Sequence, residues 1–408
     1  MVGKRVLIFT NHFYPETFKI NDVAFYLNNE GADVTVVTGI PNYPKGKFFL
    51  GYGLFKKRKE IINGVKVIRL PLIPRGKGTA IRLIINYISF SVSTILYSAS
   101  LFFRRTQKYD VVLVHHTSPI FIGIGGVIAK KMQGAKLLFW DLDLWPESVI
   151  AASKIQNRLV IKYINKLVTW IYKNSDVIFI GSKSFSKPII EKGIDKGKII
   201  YFPNWAEDVF SKDVNIELDN SAFLNSFNVM FAGNIGESQD FNSILGCAKL
   251  TKELNIKWLI VGNGRKLPWL KEQIKRFKLN NVLLLGHYPI ENMPGIFKYA
   301  DVMLVSLKDV DIFKLTVPAK IQAYMISKKP ILAMLNGEGA QIVKEANCGR
   351  ISPAEDYINL CNNVLELYTL SKEELTQLGQ NGFNYYKKNF DKQKTLNSLL
   401  KTIRSSMS

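Results

Sequence analysis

Cysteine and histidine are scarce in this sequence, and those present are scattered. The three cysteines (Cys247, Cys348 and Cys361) and the four histidines form no C-x-x-C or H-x-x-x-H spacing. The pattern therefore favours neither a disulfide-stapled domain nor a structural zinc site. The sequence also lacks a Walker loop, a G-x-G-x-x-G fingerprint and internal repeats at solenoid periods. We expect reduced core thiols in a cytosolic protein made of ordinary globular domains.

Acidic residues are the second scarce class. Against 33 Asp and Glu there are 55 Lys and Arg, which gives a formal net charge of +22. The imbalance is strongest over residues 56–105, where Glu60 is the one acid beside eleven Lys and Arg. A surplus of this size indicates an anionic partner. Because no nucleic-acid recognition motif accompanies it, we expect an anionic membrane surface and no nucleic acid.

An uncharged stretch lies inside that basic segment. Residues 83–103, LIINYISFSVSTILYSASLFF, are long enough to span a bilayer as a helix. However, the stretch carries Asn86 and six Ser or Thr, and a span here would split one α/β unit. We predict a helix that packs partly on its own sheet and partly on a membrane surface, with the flanking cations at anionic headgroups. A fully buried helix and a true span are the alternatives.

Apolar strands alternate with helical stretches along the whole chain, which predicts an α/β fold. At 408 residues the chain has room for two or three domains. The apolar run near the N-terminus ends in His and Pro, so we interpret it as a first strand rather than a signal peptide. Residues 210–227 are interpreted as a connector, and the chain beyond residue 349 is predicted to be mainly helical. Strands are predicted at residues 5–10, 33–39, 65–70, 111–114, 136–140, 177–181, 199–203, 228–232, 258–261, 282–285, 302–305 and 331–335.

Two loops in the first half place polar residues after predicted strands. Glu16, Asn21 and Asp22 follow the first strand, and the carboxyl ends of parallel strands are where α/β proteins bind ligands. The alternative is that Asn21 or Asp22 caps the next helix. The Pro- and Gly-rich loop 41–53 is too long for a simple connector and suggests a lid on the acceptor side.

An acidic and aromatic cluster follows the strand predicted at 136–140. It contains Asp141, Asp143, Trp145 and Glu147, and its position at a strand terminus favours a role in chemistry. Alternatively, Asp143 or Glu147 begins the following helix. The D-x-D spacing of Asp141 and Asp143 also occurs in metal sites, but we assign no metal to it.

Glycine-rich turns follow successive strands in the second half. Gly233-Asn234-Ile235-Gly236 and Gly262-Asn263-Gly264-Arg265 allow a ligand close to the backbone, and Gly286-His287 ends the next strand. Each turn is a weak signal alone.

The stretch 313–345 is the strongest candidate for a working centre. Val317 and Pro318 close a loop before a helix predicted at 319–326, with Lys320 in its first turn. Free amides at a helix start and a nearby cation favour an anion, here a diphosphate. A turn at residues 337–339 and a helix from residue 340 are predicted next. The alternative is an ordinary βα unit with Lys320 on a solvated face.

Eight motifs in fixed order link the chain to a known family. They are YPETFKINDVA, TGIPNYPKGKFFLGYG, PLIPRG, DLWPES, PNW, GNIGESQDF, VPAKIQAYM and NGEGA. Together with the two α/β halves they resemble the GT-B fold, two Rossmann-like domains facing across a cleft. The resemblance is closest to glycosyltransferase family 4 and, within it, to the group that includes L-fucosamine transferases of O-antigen and capsule synthesis.

The resemblance implies a retaining, metal-independent transferase without a cofactor. Its substrates are expected to be a UDP-linked amino- or deoxy-sugar and an undecaprenyl-diphosphate-linked acceptor, at the inner face of a bacterial plasma membrane. Residues 1–205 correspond to the acceptor-side domain, with its membrane-facing segment 56–105. Residues 206–385 correspond to the nucleotide-sugar domain, and residues 386–408 to a helix that crosses back to the first domain.

The chain departs from the family pattern at its charged positions. The two acids of the family's Glu-x7-Glu motif align with Leu315 and Ala323, and its phosphate-binding Arg and Lys align with Asn234 and Gln239. The frequent histidine of the first domain aligns with Leu142. We expect these roles to be substituted rather than lost.

The resulting hypothesis makes Lys320 the main diphosphate cation, with help from Arg265. Glu338 would contact a ribose or sugar hydroxyl, and Asp143 would orient the acceptor or the donor sugar. The expected catalytic residues are Asp143, Lys320 and Glu338. The expected donor-binding residues are Gly233, Asn234, Gln239, Arg265, Gly286, His287, Val317, Pro318, Lys320 and Glu338. The expected acceptor-side residues are Glu16, Asn21, Asp22, Trp145 and Glu147.

Two other functions are compatible with the sequence. A UDP-sugar epimerase of the same fold would need no lipid acceptor and would leave the basic apolar segment unexplained. A noncatalytic nucleotide-sugar-binding scaffold would account for the missing carboxylates.

Overall fold

The chain forms two compact α/β units. A computed structural model describes residues 1–103, 108–153, 157–218 and 223–407, so the predicted headgroup contacts Arg104 and Arg105 lie outside the described residues. One unit comprises Met1–Phe202 with Gln393–Ser408, and the other comprises Pro203–Lys392.

The first unit is built on an eight-stranded sheet. Its strand order is β3-β4-β2-β1-β5-β6-β7-β8, and all neighbours are parallel except the pair β3 and β4. The elements are β1 (Arg5–Thr10), α1 (Lys19–Asn29), β2 (Asp33–Gly39), β3 (Lys59–Ile62), β4 (Val65–Leu70), α2 (Ala80–Ser100), β5 (Val111–His116), α3 (Ile122–Gln133), β6 (Lys136–Asp141), α4 (Glu147–Ser153), α5 (Arg158–Asn174), β7 (Val177–Ile180), α6 (Ser186–Glu191) and β8 (Ile199–Tyr201).

The central strands of this sheet are buried on both faces. In the registers, Val6 of β1 lies opposite Val34 of β2 and Val111 of β5. Continuous runs of Val, Ile, Leu and Phe are typical of parallel strands covered by helices on both sides. The carboxyl ends of β1, β5 and β6 therefore meet at one edge of the sheet, where Thr10, His116 and Asp141 lie.

Three helices of the first unit form a tightly packed layer. Helix α2 packs along α3, which in turn contacts β1, β5, β6 and α5. Glycines in α3 permit this approach. A β-carbon at Gly125 would lie 3.1 Å from the β-carbon of Thr94 in α2, and one at Gly123 would lie 2.8 Å from Cδ1 of Ile171 in α5.

The second unit is built on a six-stranded parallel sheet in the order β11-β10-β9-β12-β13-β14. Its elements are β9 (Phe227–Ala232), α7 (Phe241–Leu250), β10 (Ile256–Val261), α8 (Leu267–Arg276), β11 (Val282–Gly286), α9 (Met293–Phe297), β12 (Val302–Ser306), α10 (Asp311–Leu315), α11 (Ala319–Ile326), β13 (Ile331–Met334), α12 (Glu338–Glu345), β14 (Gly349–Ser352), α13 (Tyr357–Thr369) and α14 (Lys372–Asn389), and helix α15 (Lys392–Met407) follows.

The predicted α/β class with two Rossmann-like sheets is confirmed, but two edge strands were not predicted and two helices begin earlier than expected. Strands β3 and β14 were missed because they are four-residue edge strands that mix polar and apolar residues. Helix α1 begins at Lys19 with Phe18 as its N-cap, so Asn21 and Asp22 lie in its first turn and neither is its N-cap. Helix α12 begins at Glu338, so residues 338 and 339 belong to the helix rather than to a turn.

Candidate functional site

A cavity of about 410 Å³ opens at the carboxyl ends of β9, β10 and β11 in the second unit. Its polar wall is formed by the turns Gly233-Asn234 and Gly262-Asn263 and by His287 and Tyr288. Of the predicted donor-side positions, Gly233, Asn234 and His287 line the cavity and Gly286 lies directly beside it, because the strands that carry them are adjacent and parallel. The carboxyl edge of a parallel sheet is where this class of fold binds ligands.

The two glycine turns are held side by side by their backbones. Gly233 N–H donates to the carbonyl of Val261 at 2.9 Å, and Ile235 N–H donates to that of Asn263 at 2.9 Å. Gly262 has φ +140°, and a β-carbon there would lie 1.9 Å from the carbonyl oxygen of Gly233. Any larger residue at this position would therefore separate the turns.

The opposite wall of the cavity is apolar. Phe210 and Phe297 stack with their ring centroids 5.6 Å apart at an interplanar angle of 9°, and Ile290 and Met293 extend the surface. A flat apolar wall facing backbone turns suits a planar ring that also carries polar groups.

Lys320 lies against the glycine turn that lines the cavity. A β-carbon at Gly233 would lie 2.6 Å from Cε of Lys320. Its Nζ donates to Oε1 of Gln239 at 3.3 Å and lies 3.6 Å from the centroid of the Phe231 ring. Among the residues that the structure describes, none of the ion pairs involves Lys320. The structure thus brings together Lys320, Gln239 and Gly233, which are far apart in the sequence.

The Lys320 ammonium is electrostatically unusual. Burial lowers the pKa of Lys320 from its ordinary value to about 7. A cation that has lost water without gaining a carboxylate is stabilised by any anion that binds next to it. The ammonium is therefore suited to an anionic ligand bound beside the Gly233 turn.

The loop before Lys320 leaves helix amides without a side-chain acceptor. Pro318 is the N-cap of α11 and forms no side-chain cap. The Ile321 N–H donates to the Pro318 carbonyl at 3.0 Å, and the two helix amides before it are left for a ligand. The start of α12 lies beside this loop, since a β-carbon at Gly339 would lie 3.1 Å from Cδ of Pro318. Val317 and Glu338 are therefore near the same point, although neither lines the cavity.

Arg265 is a predicted donor residue that lies outside the cavity. Its side chain is exposed in the turn before α8 and does not line the cavity. The adjacent Lys266 instead pairs with Glu237, with 3.2 Å between Nζ and Oε2, and lies over the Trp269 ring. Gly286 ends β11 next to His287, and its carbonyl accepts from Gly262 N–H at 2.7 Å.

The predicted acceptor residue Glu16 has a structural role in the first unit. It is 4% exposed. One carboxylate oxygen accepts from the backbone N–H groups of Asn42 and Tyr43 at 2.8 and 2.6 Å, and the other lies 2.9 Å from Nδ1 of His12. Glu16 thereby ties the loop after β1 to the loop after β2, and Asn21 donates to its backbone carbonyl at 2.8 Å. Asp22, in the same helical turn, is partly exposed.

The acidic cluster after β6 is divided among separate partners. Asp143 accepts from the indole N–H of Trp145 at 3.1 Å. Glu147 begins α4, and its Oε1 lies 2.9 Å from Nζ of Lys192. Asp143 is partly exposed, whereas Trp145 is buried. Of this cluster, Asp143 is the acid best placed to meet a substrate.

A buried network that sequence reasoning missed lies behind this cluster. Asp141 Oδ1 lies 2.7 Å from Nδ1 of His116, and Tyr172 donates to Asp141 Oδ2 at 2.5 Å. Burial and the Asp141 charge raise the pKa of Tyr172 well above its ordinary value, and burial lowers the pKa of the neighbouring His115 to about 3. Asp141 and Asp143 thus have different partners. The sequence did contain a signal for this network. His116 and Asp141 end neighbouring parallel strands, and they lie opposite each other in the register.

Both halves of the chain match described sequence families. Residues 19–205 match "Glycosyl transferase 4-like domain", and residues 226–369 match "Glycosyl transferases group 1". A protein of Escherichia coli (strain K12), "Putative colanic acid biosynthesis glycosyl transferase WcaI", is 23% identical over 318 residues. The aligned region is 74% of this chain and 77% of that protein.

Solved structures share the fold over nearly the whole chain. Sucrose-phosphate synthase from Thermosynechococcus elongatus superposes with a TM-score of 0.72 at 14% identity, covering 98% of each chain. HepE of Anabaena, in complex with UDP and glucose, superposes with a TM-score of 0.69 at 13% identity, covering 98% of this chain and 100% of HepE. At these identities the structures establish the fold. Together with the two family matches, they show that the chain is a GT-B glycosyltransferase with a glycosyl transferase 4-like domain followed by a glycosyl transferases group 1 domain.

Proposed function

We propose that the chain is a retaining glycosyltransferase that moves an amino- or deoxy-sugar, of the N-acetyl-fucosamine type, from a UDP-sugar to an undecaprenyl-diphosphate-linked acceptor. The reaction would serve O-antigen or capsular polysaccharide assembly at the inner face of the plasma membrane. The observation that carries the donor half is Lys320, an ammonium without a carboxylate partner in the described part of the chain, which lies against the glycine turn of the cavity.

The cavity supports a nucleotide-sugar as the donor. The stacked Phe210 and Phe297 provide an apolar wall for a base. The Gly233 turn, the free amides of α11 and Lys320 provide a site for a diphosphate. HepE, which shares the fold, is described with bound UDP and glucose, and this agrees with a UDP-sugar for the present chain.

In the proposed mechanism the bond between the sugar anomeric carbon and the diphosphate oxygen breaks. The acceptor hydroxyl attacks the face of the sugar from which the diphosphate leaves, so the configuration at the anomeric carbon is retained. A diphosphate oxygen takes the proton of the hydroxyl. The protein mainly stabilises the charge that develops on the leaving diphosphate and orients both substrates. Lys320 and the first amides of α11 supply this stabilisation without a divalent ion. Glu338, beside the same loop, would accept from a ribose or sugar hydroxyl.

The acceptor half of the proposal uses the first unit. Asp143 is partly exposed at the carboxyl end of β6 and would orient the acceptor hydroxyl. The WcaI relative is described as acting in colanic acid biosynthesis, which agrees with a polysaccharide product. A lipid-linked acceptor also accounts for the basic and apolar segment around α2.

A noncatalytic scaffold is the second candidate, because Leu315 and Ala323 occupy the positions of the two motif acids. Ala323 is 6% exposed within α11 and offers no group to a sugar. A scaffold would bind UDP but never release it from a donor. Release of UDP from a UDP-sugar in the presence of a lipid-linked acceptor therefore separates the two functions.

The first experiment is thermal melting with UDP, GDP and ADP, each with and without magnesium. A ligand that binds the folded state raises the melting temperature, so we expect selective, magnesium-independent stabilisation by UDP. Lys320→Ala should lose most of this shift. Lys344→Ala removes an exposed lysine of α12 in the same unit and should keep it. No response of the wild-type chain to any nucleotide would refute the donor half of the proposal.

A further inference from the structure

The helical layer made by α2, α3 and α5 has one sign of charge. These three helices contain seven Lys and Arg and no Asp or Glu. The basic segment predicted from the sequence covers residues 56–105, and α3 and α5 lie outside it. The structure adds them because α3 packs between α2 and α5.

Helix α2 exposes a continuous apolar stripe along the outer face of this layer. Ile81 is 71% exposed, Leu96 is 66% exposed, and Phe103 in the following turn is 85% exposed. The spacing of three and four residues places the stripe on one face of the helix. Its members are Ile81, Ile85, Ile88, Val92, Leu96 and Phe103.

The opposite face of α2 is buried and carries several polar side chains. Asn86, Thr94 and Ser98 are at most 6% exposed, and Thr94 contacts Gly125 of α3. By length and composition residues Ile81–Phe103 would suffice to cross a bilayer. A span would, however, detach α2 from α3 and place these polar side chains in hydrocarbon. The packing therefore favours a helix that stays in its unit and offers one face to the outside.

Helix α5 continues the apolar surface. Tyr163 is 69% exposed and Leu159 is 64% exposed, and the α3 residue Met132 is also exposed. The Lys131 ammonium of α3 lies 6.0 Å from the ring centroid of Trp170 in α5, which links the two helices at the surface. Exposed apolar and aromatic side chains therefore alternate with cations across the layer.

We propose that the outer face of the α2, α3 and α5 layer docks on an anionic lipid bilayer, with α2 and α5 lying in the headgroup region. The inference builds on the lipid-linked acceptor of the proposed function and adds α5 as a second contact. Charge identifies the occupant. The three helices contain seven cations and no acid, which matches anionic headgroups, although one of the cations, Lys130, pairs with Asp176 just after α5 at 2.7 Å. Apolar and aromatic residues match the interface, and a second copy of the layer would bring like charges together.

The test is flotation of the purified full-length chain with vesicles, without nucleotide or acceptor. One set of vesicles contains phosphatidylcholine alone, and the other adds about one third phosphatidylglycerol. The α2 variant is Ile88→Ser with Leu96→Ser, and the α5 variant is Lys162→Glu with Lys166→Glu. The matched controls, in the second unit, are Leu250→Ser with Leu254→Ser and Lys271→Glu with Lys275→Glu, all at exposed positions. Melting temperatures confirm that every variant is folded.

We expect the wild-type chain to float with the phosphatidylglycerol vesicles and to bind phosphatidylcholine far more weakly. Each surface lysine strengthens binding to an anionic membrane. Replacing two of them should therefore make the α5 variant bind these vesicles at least about 30-fold more weakly than the wild type does. The α2 variant should also lose binding, and both controls should bind like the wild type. The inference is overturned if the wild-type chain stays unbound, or if the α5 variant binds as its control does. It is equally overturned if light scattering shows a dimer that the variants dissociate.

The docking surface and the donor site can be refuted separately. Flotation contains no nucleotide, and the UDP melting experiment contains no lipid. A chain that binds UDP but not vesicles refutes the docking surface alone, and a chain that floats without binding UDP refutes the donor site alone.

Discussion

Donor binding should depend on pH through Lys320, and Lys320→Arg should remove that dependence. The pKa of Lys320 in the free chain is about 7 because the ammonium is buried. A bound diphosphate would raise that pKa, so the complex holds more protons than the free chain. Affinity therefore falls as pH rises through the free-chain value.

The size of the pH effect on donor affinity follows from the fraction of chains in which Lys320 is charged. With a free-chain pKa of about 7, about nine-tenths of the chains carry the charge at about pH 6 and about one-tenth at about pH 8. If only the charged form binds, the dissociation constant of a UDP-sugar should increase about tenfold over this interval. Arginine stays charged throughout, so the affinity of Lys320→Arg should be flat.

Isothermal titration calorimetry with a UDP-sugar measures both the affinity and the protons taken up. A UDP-sugar is preferable to UDP because the terminal phosphate of UDP itself titrates near pH 6. Proton uptake follows from repeating the titration in buffers with different ionisation enthalpies. Identical pH profiles for the wild type and Lys320→Arg would refute the assignment of Lys320 to the diphosphate.

Three further predictions concern stability and the shape of the site. Lys320→Met should raise the melting temperature by about 3 °C near neutral pH, since it removes a desolvated cation; a lowered melting temperature would contradict this. Burial lowers the pKa of Lys320 to about 7 in the folded chain, so this gain should be largest below about pH 7 and should shrink as pH rises toward about 10, the ordinary pKa of a lysine in the unfolded chain. Gly262→Ala should destabilise the second unit by about 2 kcal/mol or more and abolish the UDP shift. Gly286→Ala serves as the control, because Gly286 also has a positive φ, +84°, but has open space for a β-carbon, so this variant has the backbone strain without the clash. Equal melting temperatures of these two variants would show that the paired turns tolerate a side chain. Tyr172→Phe leaves Asp141 Oδ2 without its donor and should cost about 1–3 kcal/mol by urea unfolding, and an unchanged unfolding midpoint would argue against the buried network.

The fold was predictable where the physical signal is local and repeated. Buried parallel strands such as β1, β2 and β9 are apolar runs between turn residues, so their positions agree with the prediction to within a residue. Strand β3 gave no such signal because one of its faces is exposed, and its place in the sheet depends on partners in β4. Arg69 of β4 is fully buried and binds Glu60 of β3. The hydrophobic pattern of the sequence does not predict this ion pair.

The candidate site was predictable in part for the same reason. Glycine turns after strands and a lysine at a helix start are local patterns, and they identified Gly233 and Lys320. The contact between Lys320 and Gln239 spans 81 residues of sequence, so it becomes visible only in the folded chain. Glu16 shows the converse, because its carboxylate is satisfied by backbone amides 26 and 27 residues away. Sequence cannot distinguish such a carboxylate from one that faces a substrate.

The polar side chains on the buried face of α2 also have a consequence for biosynthesis. During translation α2 emerges from the ribosome before α3, so for a short time nothing covers its two faces. Recognition by the membrane-insertion machinery depends on the hydrophobicity of the whole segment, and polar residues near the middle of a helix lower it. Thr94, near the middle of the stretch, and Asn86 and Ser98 on either side of it would therefore help the nascent chain to avoid insertion. The side chains that join α2 to α3 in the folded unit would thus also keep the nascent chain from being inserted into the membrane before folding is complete.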